Sequence, residues 1–435
     1  MFGGDRMKIL FTCGGTGGHI YPAIAMYHEF RSRIPDLEYL FVGSDYGLER
    51  EIMENEGIRM EFIPSRGIQR RLSIRNLQAV FCNLKAFFQA RSMIKRFQPD
   101  LVISTGAYPT FHITWCAVRR HIPVFLIESN ILPGLVTRLA SGKARKVFVT
   151  SGRTLAYLRD PSRAEVTGTP SRMLPPEKTR ERILQDLHFG DREKTVVVVG
   201  GSCGAEKIND SLLEILHGKE IPFQILWATG KKHFSYVRDH IGPVGIQSGS
   251  GTDAKEIVNV GTKEDACANT RADAGITAAA GCGKYCHIGT DGNTKAIQGK
   301  DGRVRIVDYI VNMNEIISVA DLIVCRAGAM TIGEIKEFRV PAILIPFAQA
   351  AGNHQYFNAL ELEKAGCAVI RKEAELSGES LYDEICGLLS DQERLKRMRS
   401  GYDKISISNS NQKIFESIRK EMGPPAEAAE RRSQC

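Results

Sequence analysis

Long apolar runs are missing from this sequence. None of its 435 residues belongs to an apolar stretch of the roughly 18 residues that a membrane-spanning helix needs, so we expect no transmembrane helix. The N-terminal stretch MFGGDRMKILF also holds too short an apolar segment for a secretory signal peptide. With 43% hydrophobic and 25% charged residues, the composition is typical of a soluble globular protein.

Three motifs of nucleotide-binding enzymes are absent as well. The sequence has no GxxxxGK[ST], which excludes a P-loop NTPase. The first glycine-rich loop lacks the spacing GxGxxG, and no acidic residue ends the following strand, so a dinucleotide oxidoreductase fits poorly. No Asp-x-Asp pair occurs, which removes the usual carboxylate clamp for a metal-bound sugar nucleotide. We therefore expect no cofactor, and a bound diphosphate would be held by helix dipoles and backbone amides.

The 11 cysteines are odd in number and scattered, and Cys13, Cys116 and Cys325 lie in apolar runs. This pattern favours buried free thiols of a cytoplasmic protein over disulfides. Cys282, Cys286 and His287 form the grouping closest to a zinc site, but one close pair with a histidine matches zinc-ligand spacing weakly. The sequence therefore predicts no metal site.

Short apolar runs alternate with helix-length amphipathic segments, and the alternation occurs twice along the chain. This alternation of strands and helices predicts an α/β protein built of two Rossmann-like domains that face each other across a cleft. The predicted strands are 8–13, 39–43, 101–105, 124–128 and 146–151 in the first domain, and 195–201, 224–230, 304–310, 322–328 and 342–347 in the second.

The domain boundaries are predicted where this alternation is interrupted. The proline-rich segment PSRMLPPEKTRERIL predicts a linker, which divides the chain into domains at 7–172 and 173–402. Residues 243–302 are rich in Gly, Ala, Thr and Asp without periodicity, and we expect them to form a mobile insertion in the second domain. The tail 423–435 is predicted to be disordered.

Three glycine-rich loops follow predicted strands and open predicted helices: GGTGGH (14–19), GGSCGAEKIN (200–209) and CRAGAMTIGE (325–334). A helix N-terminus offers free backbone N–H groups and the positive end of a dipole, which suit a phosphate. One such loop could be only a tight strand–helix turn. Their equivalent positions in both halves predict a ligand in the cleft.

Six motifs in order carry a resemblance to a known family. GGTGGHIYP, ESNILPG (128–134), GTPSR (168–172), GGSCGA (200–205), CRAGAMTIGE and NHQYFNA (353–359) resemble the successive signatures of the MurG family, in glycosyltransferase family 28. The similarity is collinear from Met7 to about Met422, apart from 243–302. It implies the GT-B fold, whose final helix, 403–422 here, packs back on the first domain.

The resemblance also implies an activity. Members transfer GlcNAc from UDP-GlcNAc to the C4 hydroxyl of the MurNAc-pentapeptide of lipid I, undecaprenyl-diphosphate-MurNAc-pentapeptide, and so form lipid II for peptidoglycan synthesis. The expected location is the cytoplasmic face of the bacterial inner membrane. Cell-wall synthesis proteins are candidate partners, and the sequence leaves them and the oligomeric state open.

Site residues follow from the resemblance one by one. Glu334 would bind the ribose hydroxyls, and the backbone of Ile310 would meet uracil. The diphosphate would lie against Ser202, Ala329, Met330 and Thr331, with Arg172 and Arg326 as counter-charges, although either arginine could be a structural ion pair instead. The other expected substrate contacts are Thr16, Gly17, Gly18, Tyr108, Asn130, Gln355 and Asn358.

His19 and Glu128 are the two candidates for a catalytic base. An inverting displacement needs one base opposite the leaving group. His19 stands at the edge of the first glycine loop, and we favour it over Glu128. A histidine here could also serve only to orient the acceptor by a hydrogen bond.

No acidic residue lies between Glu61 and Asp100, a stretch that holds eight basic ones. Leu77, Phe81, Leu84 and Phe88 repeat there at helical spacing. A basic amphipathic surface with aromatic residues favours docking on anionic membrane lipids, whereas the alternative is that the apolar residues face the core. No nucleic-acid-reading motif accompanies the charge, so nucleic acid is not an expected partner. The predicted docking residues are Arg70, Arg71, Arg75, Leu77, Phe81, Lys85 and Phe88.

Two other functions stay open from the sequence. The chain could be another GT-B glycosyltransferase that makes a glycolipid. It could also be a catalytically silent protein that binds a UDP-sugar and is inactivated by the segment 243–302.

Overall fold

Two parallel β-sheets, each covered by helices, organise the chain. The computed structural model describes residues 7–47, 49–67, 74–171, 175–201, 204–241, 296–299, 302–310, 312–405 and 407–423. Within these residues, each sheet has seven strands. Their central strands are short apolar runs that are buried along their whole length, as expected where helices cover both faces of a sheet.

The first sheet has the strand order β3-β2-β1-β4-β5-β6-β7, with all neighbours parallel. Its strands are β1 (Lys8–Thr12), β2 (Glu38–Ser44), β3 (Met60–Ile63), β4 (Leu101–Ser104), β5 (Val124–Glu128), β6 (Lys146–Val149) and β7 (Ala164–Val166). The helices between them are α1 (Gly17–Arg33), α2 (Glu49–Asn55), α3 (Ile74–Phe97), α4 (Phe111–Arg119) and α5 (Leu135–Ala140).

The second sheet has the order β10-β11-β9-β8-β12-β13-β14, and only the pairing of β10 with β11 is antiparallel among its described strands. Its strands are β8 (Thr195–Val199), β9 (Gln224–Ala228), β10 (Ala296–Gln298), β11 (Val304–Val307), β12 (Leu322–Cys325), β13 (Ala342–Leu344) and β14 (Ala368–Ile370). The remaining helices are α6 (Arg180–Asp186), α7 (Glu206–Gly218), α8 (Phe234–His240), α9 (Met313–Ser318), α10 (Ala329–Phe338), α11 (His354–Ala365), α12 (Gly378–Ser390), α13 (Gln392–Gly401) and α14 (Ser410–Met422).

All ten predicted strands are present, and the four that the sequence analysis missed are the four sheet edges: β3, β7, β10 and β14. An edge strand has one hydrogen-bonded neighbour and needs fewer apolar residues, so its sequence signal is weak. β10 lies within 243–302. The expectation that this whole segment is an insertion is therefore wrong at its C-terminal end, because residues 296–298 pair with β11. The rest of the segment, 243–295, lies outside the described residues.

Strand order places the glycine loops. In both sheets the order reverses beside the first strand, between β1 and β4 and between β8 and β12. In open α/β sheets, ligands bind at such switch points, beyond the carboxyl ends of the strands. The loops 14–19, 200–209 and 325–334 follow β1, β8 and β12, so all three lie at a switch point.

The C-terminus returns to the first domain. Tyr402 is fully buried in a core cluster of the second domain. Beyond it, Ile414, Phe415 and Ile418 of α14 join the core formed by α1 and the first sheet. At the end of α14, Arg145 Nε lies 2.7 Å from Glu421 Oε2. The chain therefore crosses between the domains after Tyr402 and again near the end of β7.

Cys13, Cys116 and Cys325 are buried free thiols, as the sequence predicts. Burial raises the pKa of the Cys13 and Cys116 thiols, which keeps them protonated and unreactive. Cys282, Cys286 and His287 lie outside the described residues, as does the tail from residue 424. Within the described part of the chain, no helix combines the length and the apolarity needed to cross a bilayer.

Substitution of Phe415 tests the packing of α14, the return helix, against the first domain. Its ring packs edge-on to Phe30 with 4.9 Å between centroids, and the side chain is almost fully buried. Phe415→Ala is expected to lower the free energy of unfolding by about 3–5 kcal/mol, because it leaves a cavity between α1 and α14. Lys413→Ala, at an exposed position of the same helix, serves as the control. Equal denaturation midpoints for the two variants, measured by circular dichroism, would contradict the packing role of α14.

Candidate active site

Three helix N-termini meet the cleft without side-chain caps. α1, α7 and α10 begin after Thr16, Ala205 and Gly328, and none of these residues caps its helix through a side chain. The first backbone N–H groups of a helix have no intrahelical acceptor, so they are free to bind an anion. α1 of the first domain contacts α10 of the second. The arrangement therefore suits a ligand with phosphates between the two domains.

His19 lies in the first turn of α1, half-buried. Its Nδ1 is 2.8 Å from the backbone carbonyl oxygen of Thr105, in the loop after β4. A carbonyl only accepts hydrogen bonds, so Nδ1 carries the hydrogen. In the neutral ring, Nε2 then keeps its lone pair and is the atom able to accept a proton.

Glu128 ends β5 and is 1% exposed. Oε1 accepts hydrogen bonds from the backbone N–H of Asn130 at 3.0 Å and from its side-chain Nδ2 at 3.2 Å. Oε2 accepts one from the N–H of Gly134 at 3.0 Å. Both carboxylate oxygens are thus turned toward the loop that follows β5, an arrangement that favours shaping the loop over accepting a proton from substrate.

Asn130 and Asn358, both expected to contact substrate, are hydrogen-bonded to each other. Asn358 Nδ2 donates to Asn130 Oδ1 at 3.1 Å and to the carbonyl of Ala327 at 3.2 Å. Asn358 Oδ1 accepts from the N–H of Ile131 at 3.0 Å. Asn358 is 2% exposed and Asn130 9%. The pair joins the loop after β5 to the second domain, so its visible role is an inter-domain contact.

Arg326 forms an ion pair with Glu373, the structural alternative left open above. Nη1 also donates to the carbonyl of Ile345 at 3.2 Å, and the guanidinium lies over the ring of Phe347. Burial raises the pKa of Glu373, but the hydrogen bond and charge of Arg326 outweigh it and hold that pKa below its usual value. The positive charge of Arg326 is therefore already balanced by Glu373.

The other donor-side residues line the start of α10 and its neighbours. Ala329, Met330 and Thr331 form the first turn of α10, and Glu334 lies one turn later, half-buried. Burial, and then the Glu334 carboxylate, raise the pKa of the Cys325 thiol, which places that carboxylate near the end of β12. Ile310 is buried just after β11. Gln355 Oε1 accepts from the N–H of Phe347 at 2.9 Å.

The residues expected to contact the acceptor lie at the start of α1 and just after β4. Thr16 is exposed, and Gly17 and Gly18 are half-buried at the start of α1. The Tyr108 hydroxyl accepts a hydrogen bond from Asn83 Nδ2 of α3 at 2.8 Å, and burial raises the pKa of Tyr108. Arg172 and Ser202 lie outside the described residues.

The apolar side chains of α3 divide into two groups. Phe81, Leu84 and Phe88 are 67%, 54% and 61% exposed, so for these three the alternative of core packing is wrong. Phe87 packs against the core. Lys85 is exposed beside the three. Arg70 and Arg71 lie outside the described residues, and the side chains of Arg75 and Leu77 are not described.

Four groups at the cleft were not anticipated from the sequence. Thr105 acts through its backbone carbonyl, which leaves no signal in the sequence. Glu49 accepts the N–H of Gly15, Asn83 binds Tyr108, and Lys231 of the second domain lies 3.3 Å from Glu51 of the first. Each of the last three is a polar residue in a helix or loop, without a motif around it. Only the fold brings them to the cleft.

Comparison with known proteins agrees with this architecture. The glycosyltransferase family 28 N-terminal domain matches residues 9–149, and the glycosyltransferase family 28 C-terminal domain matches residues 244–420. The chain belongs to glycosyltransferase family 28.

Curated relatives match along nearly the whole chain. The UDP-N-acetylglucosamine–N-acetylmuramyl-(pentapeptide) pyrophosphoryl-undecaprenol N-acetylglucosamine transferase of Thermoanaerobacter sp. (strain X514) is 32% identical over 95% of this chain and 99% of its own length. The protein of the same name from Caldanaerobacter subterraneus subsp. tengcongensis is 33% identical over the same shares.

Among solved structures, the crystal structure of Acinetobacter baumannii MurG superposes with a TM-score of 0.65. It is 22% identical and covers 96% of this chain and 100% of its own. This likeness confirms the GT-B fold that the resemblance implied.

Asn358 is the test of the inter-domain contact. Asn358→Ala leaves the N–H of Ile131, Asn130 Oδ1 and the carbonyl of Ala327 without this partner. Each buried group left unsatisfied costs about 1–3 kcal/mol, so we expect a lower melting temperature and separate unfolding of the two domains by calorimetry. Asn55→Ala, at the exposed end of α2, is the matched control. A single unshifted transition in N358A would contradict the contact.

Proposed function

We propose that this chain transfers GlcNAc from UDP-GlcNAc to the C4 hydroxyl of the MurNAc-pentapeptide of lipid I, with inversion at the anomeric carbon, and so forms lipid II. The observation that carries the proposal is the hydrogen bond from His19 Nδ1 to the Thr105 carbonyl, which leaves Nε2 of the neutral ring with its lone pair at the N-terminus of α1. The relatives named above, at 32% and 33% identity over nearly their whole length, support the same reaction.

The reaction is one displacement. The acceptor C4 oxygen forms a bond to the anomeric carbon of GlcNAc, while the bond from that carbon to the β-phosphate oxygen breaks and UDP leaves with the electron pair. His19 Nε2 takes the hydroxyl proton. The N-terminus of α10 places positive potential near the departing diphosphate, as leaving-group stabilisation requires.

The donor is assigned to the second domain. The free N–H groups at the start of α10 suit the diphosphate, and the Glu334 carboxylate can accept two hydrogen bonds from a ribose diol. Met330 and Thr331 lie in the first turn of the same helix, where their backbone N–H groups would bind the same diphosphate. Arg326 is paired with Glu373, so we assign its role to shaping the loop before α10 and not to direct neutralisation of phosphate.

The acceptor is assigned to the first domain and the membrane beside it. Phe81, Leu84 and Phe88 project from one face of α3 next to the exposed Lys85, which suits the headgroup region of an anionic bilayer. Asn83, on the same helix, holds the hydroxyl of Tyr108. Helix α3 is therefore tied to the segment after β4 whose Thr105 holds His19, and docking at the cytoplasmic face of the membrane would bring a lipid-linked sugar toward His19.

His19 is the direct test. His19→Ala is expected to cut kcat for transfer of labelled GlcNAc to a lipid I analogue by roughly 10²–10⁴-fold, the effect typical of a lost general base. The KM for UDP-GlcNAc should change little, because the donor lies in the other domain. His28→Ala, at an exposed position of the same helix, is the matched control.

The results of these assays distinguish three hypotheses. Turnover by H19A near that of the wild type would exclude His19 as the base. Transfer by the wild type to other glycolipids, but not to lipid I analogues, would favour a different glycolipid glycosyltransferase. Binding of UDP-GlcNAc without transfer to any acceptor would identify a silent nucleotide-sugar binder.

The exposed phenylalanines test the membrane assignment. Replacing Phe81 and Phe88 together by serine should weaken binding to vesicles that contain anionic phospholipid by about tenfold or more, because two apolar side chains no longer leave water. Tyr236→Ser, at an exposed aromatic of the second domain, is the control. Unchanged co-sedimentation of the double variant would contradict docking through α3.

A further inference from the structure

A buried glutamate lies beneath the first glycine loop. Glu49, the first residue of α2, is 1% exposed. Its Oε1 accepts a hydrogen bond from the backbone N–H of Gly15 at 2.8 Å and one from the Ser44 hydroxyl at 2.8 Å. The side chain thus joins α2 and the end of β2 to the loop that carries His19.

The backbone around this carboxylate has no room for side chains. A Cβ added to Gly14 would lie 2.5 Å from Glu49 Oε1, and one added to Gly47 would lie 2.2 Å from Oε2. Gly15 also has a φ of +86°, a conformation that glycine adopts without strain. The glycines at 14 and 47 therefore accommodate the carboxylate, and not only a ligand above the loop.

The second carboxylate oxygen of Glu49 lowers the stability of the folded protein. Oε2 is buried and has no hydrogen-bond partner among the described residues. An unsatisfied buried polar atom lowers stability, and an apolar residue of similar size would avoid that loss. A glutamate at this position is therefore explained by what Oε1 does for the loop more readily than by the stability of the fold.

The hydrogen bond from Gly15 to Glu49 affects the geometry of the loop at the cleft. Its N–H points to Glu49 and not outward, which fixes the direction in which the chain enters α1. The N–H groups of Gly17 and Gly18, at the start of α1 directly before His19, have no acceptor within the helix. The loop has no side-chain cap on α1 that would fix it otherwise.

We propose that Glu49 is a positioning residue that fixes the glycine loop, so that the N-terminus of α1 and His19 meet the lipid-linked acceptor in one geometry. The proposal rests on the function proposed above. Glu49 is too deeply buried to touch substrate, so it acts through Gly15. Its effect falls on the acceptor and not on the donor, because the donor is assigned to the second domain.

A matched pair of variants tests the proposal. Glu49→Gln keeps an oxygen that can accept from Gly15, whereas Glu49→Met keeps the size and removes the acceptor. E49M should raise the KM for a lipid I analogue by about tenfold, because the loop loses one buried hydrogen bond, with the KM for UDP-GlcNAc little changed. E49Q should restore most of the acceptor affinity. The same pair at Glu54, exposed on α2, is the control.

A second readout needs no substrate. Hydrogen–deuterium exchange at the Gly15 amide should be faster in E49M than in the wild type or E49Q, because this amide loses its acceptor. If the chain fails to transfer GlcNAc at all, this measurement still tests the link from Glu49 to the loop. Should E49M not fold, Glu49→Asp replaces it: the carboxyl group stays, but the side chain is one methylene too short to reach Gly15.

The proposal is supported by a selective rise in acceptor KM together with faster Gly15 exchange, both reversed in E49Q. It is overturned if E49M and E49Q behave alike, if the KM values of both substrates rise equally, or if Gly15 exchange is the same in all variants.

Discussion

The parallel order of the strands is the constraint on which the rest of the molecule depends. Because all neighbouring strands except β10 and β11 run parallel, every described strand apart from β10 ends at the same edge of its sheet, and the loops that follow meet there. The order reverses beside β1 and beside β8, which opens a crevice at each of these points. The N-termini of α1, α7 and α10 converge on these crevices. These three N-termini lack side-chain caps, so their first backbone N–H groups suit phosphate groups.

The two crevices become one site only because the domains are held against each other. Asn358 joins the loop after β5 to the loop before α10, and α14 carries the end of the chain back onto the first sheet. Lys231 and Glu51 add an exposed ion pair, which is worth little in water. The buried amide contacts and the return helix are therefore the features that set the distance between His19 and α10.

The sequence predicts the fold well where the strands are buried and poorly at the edges. Central strands such as β8 are continuous apolar runs, whereas β7 and β10 are three-residue strands with weak patterns. Motif resemblance predicts roles for His19 and the start of α10, because these positions lie in local sequence motifs. It could not find the partner of Arg326, which is 47 residues away, or the carbonyl that orients His19, which is 86 residues away. Asn130 and Asn358 were expected at the substrate, but their pairing depends on the relative position of two domains, which no local pattern encodes.

The linkage in the product tests the central claim most directly. The wild-type chain would be incubated with UDP-GlcNAc and a lipid-linked MurNAc-pentapeptide acceptor, and the purified product examined by NMR. A single displacement at α-linked UDP-GlcNAc predicts one new GlcNAc joined through a β linkage to O4 of MurNAc. An α linkage, attachment at another hydroxyl, or free GlcNAc as the only product would contradict the account.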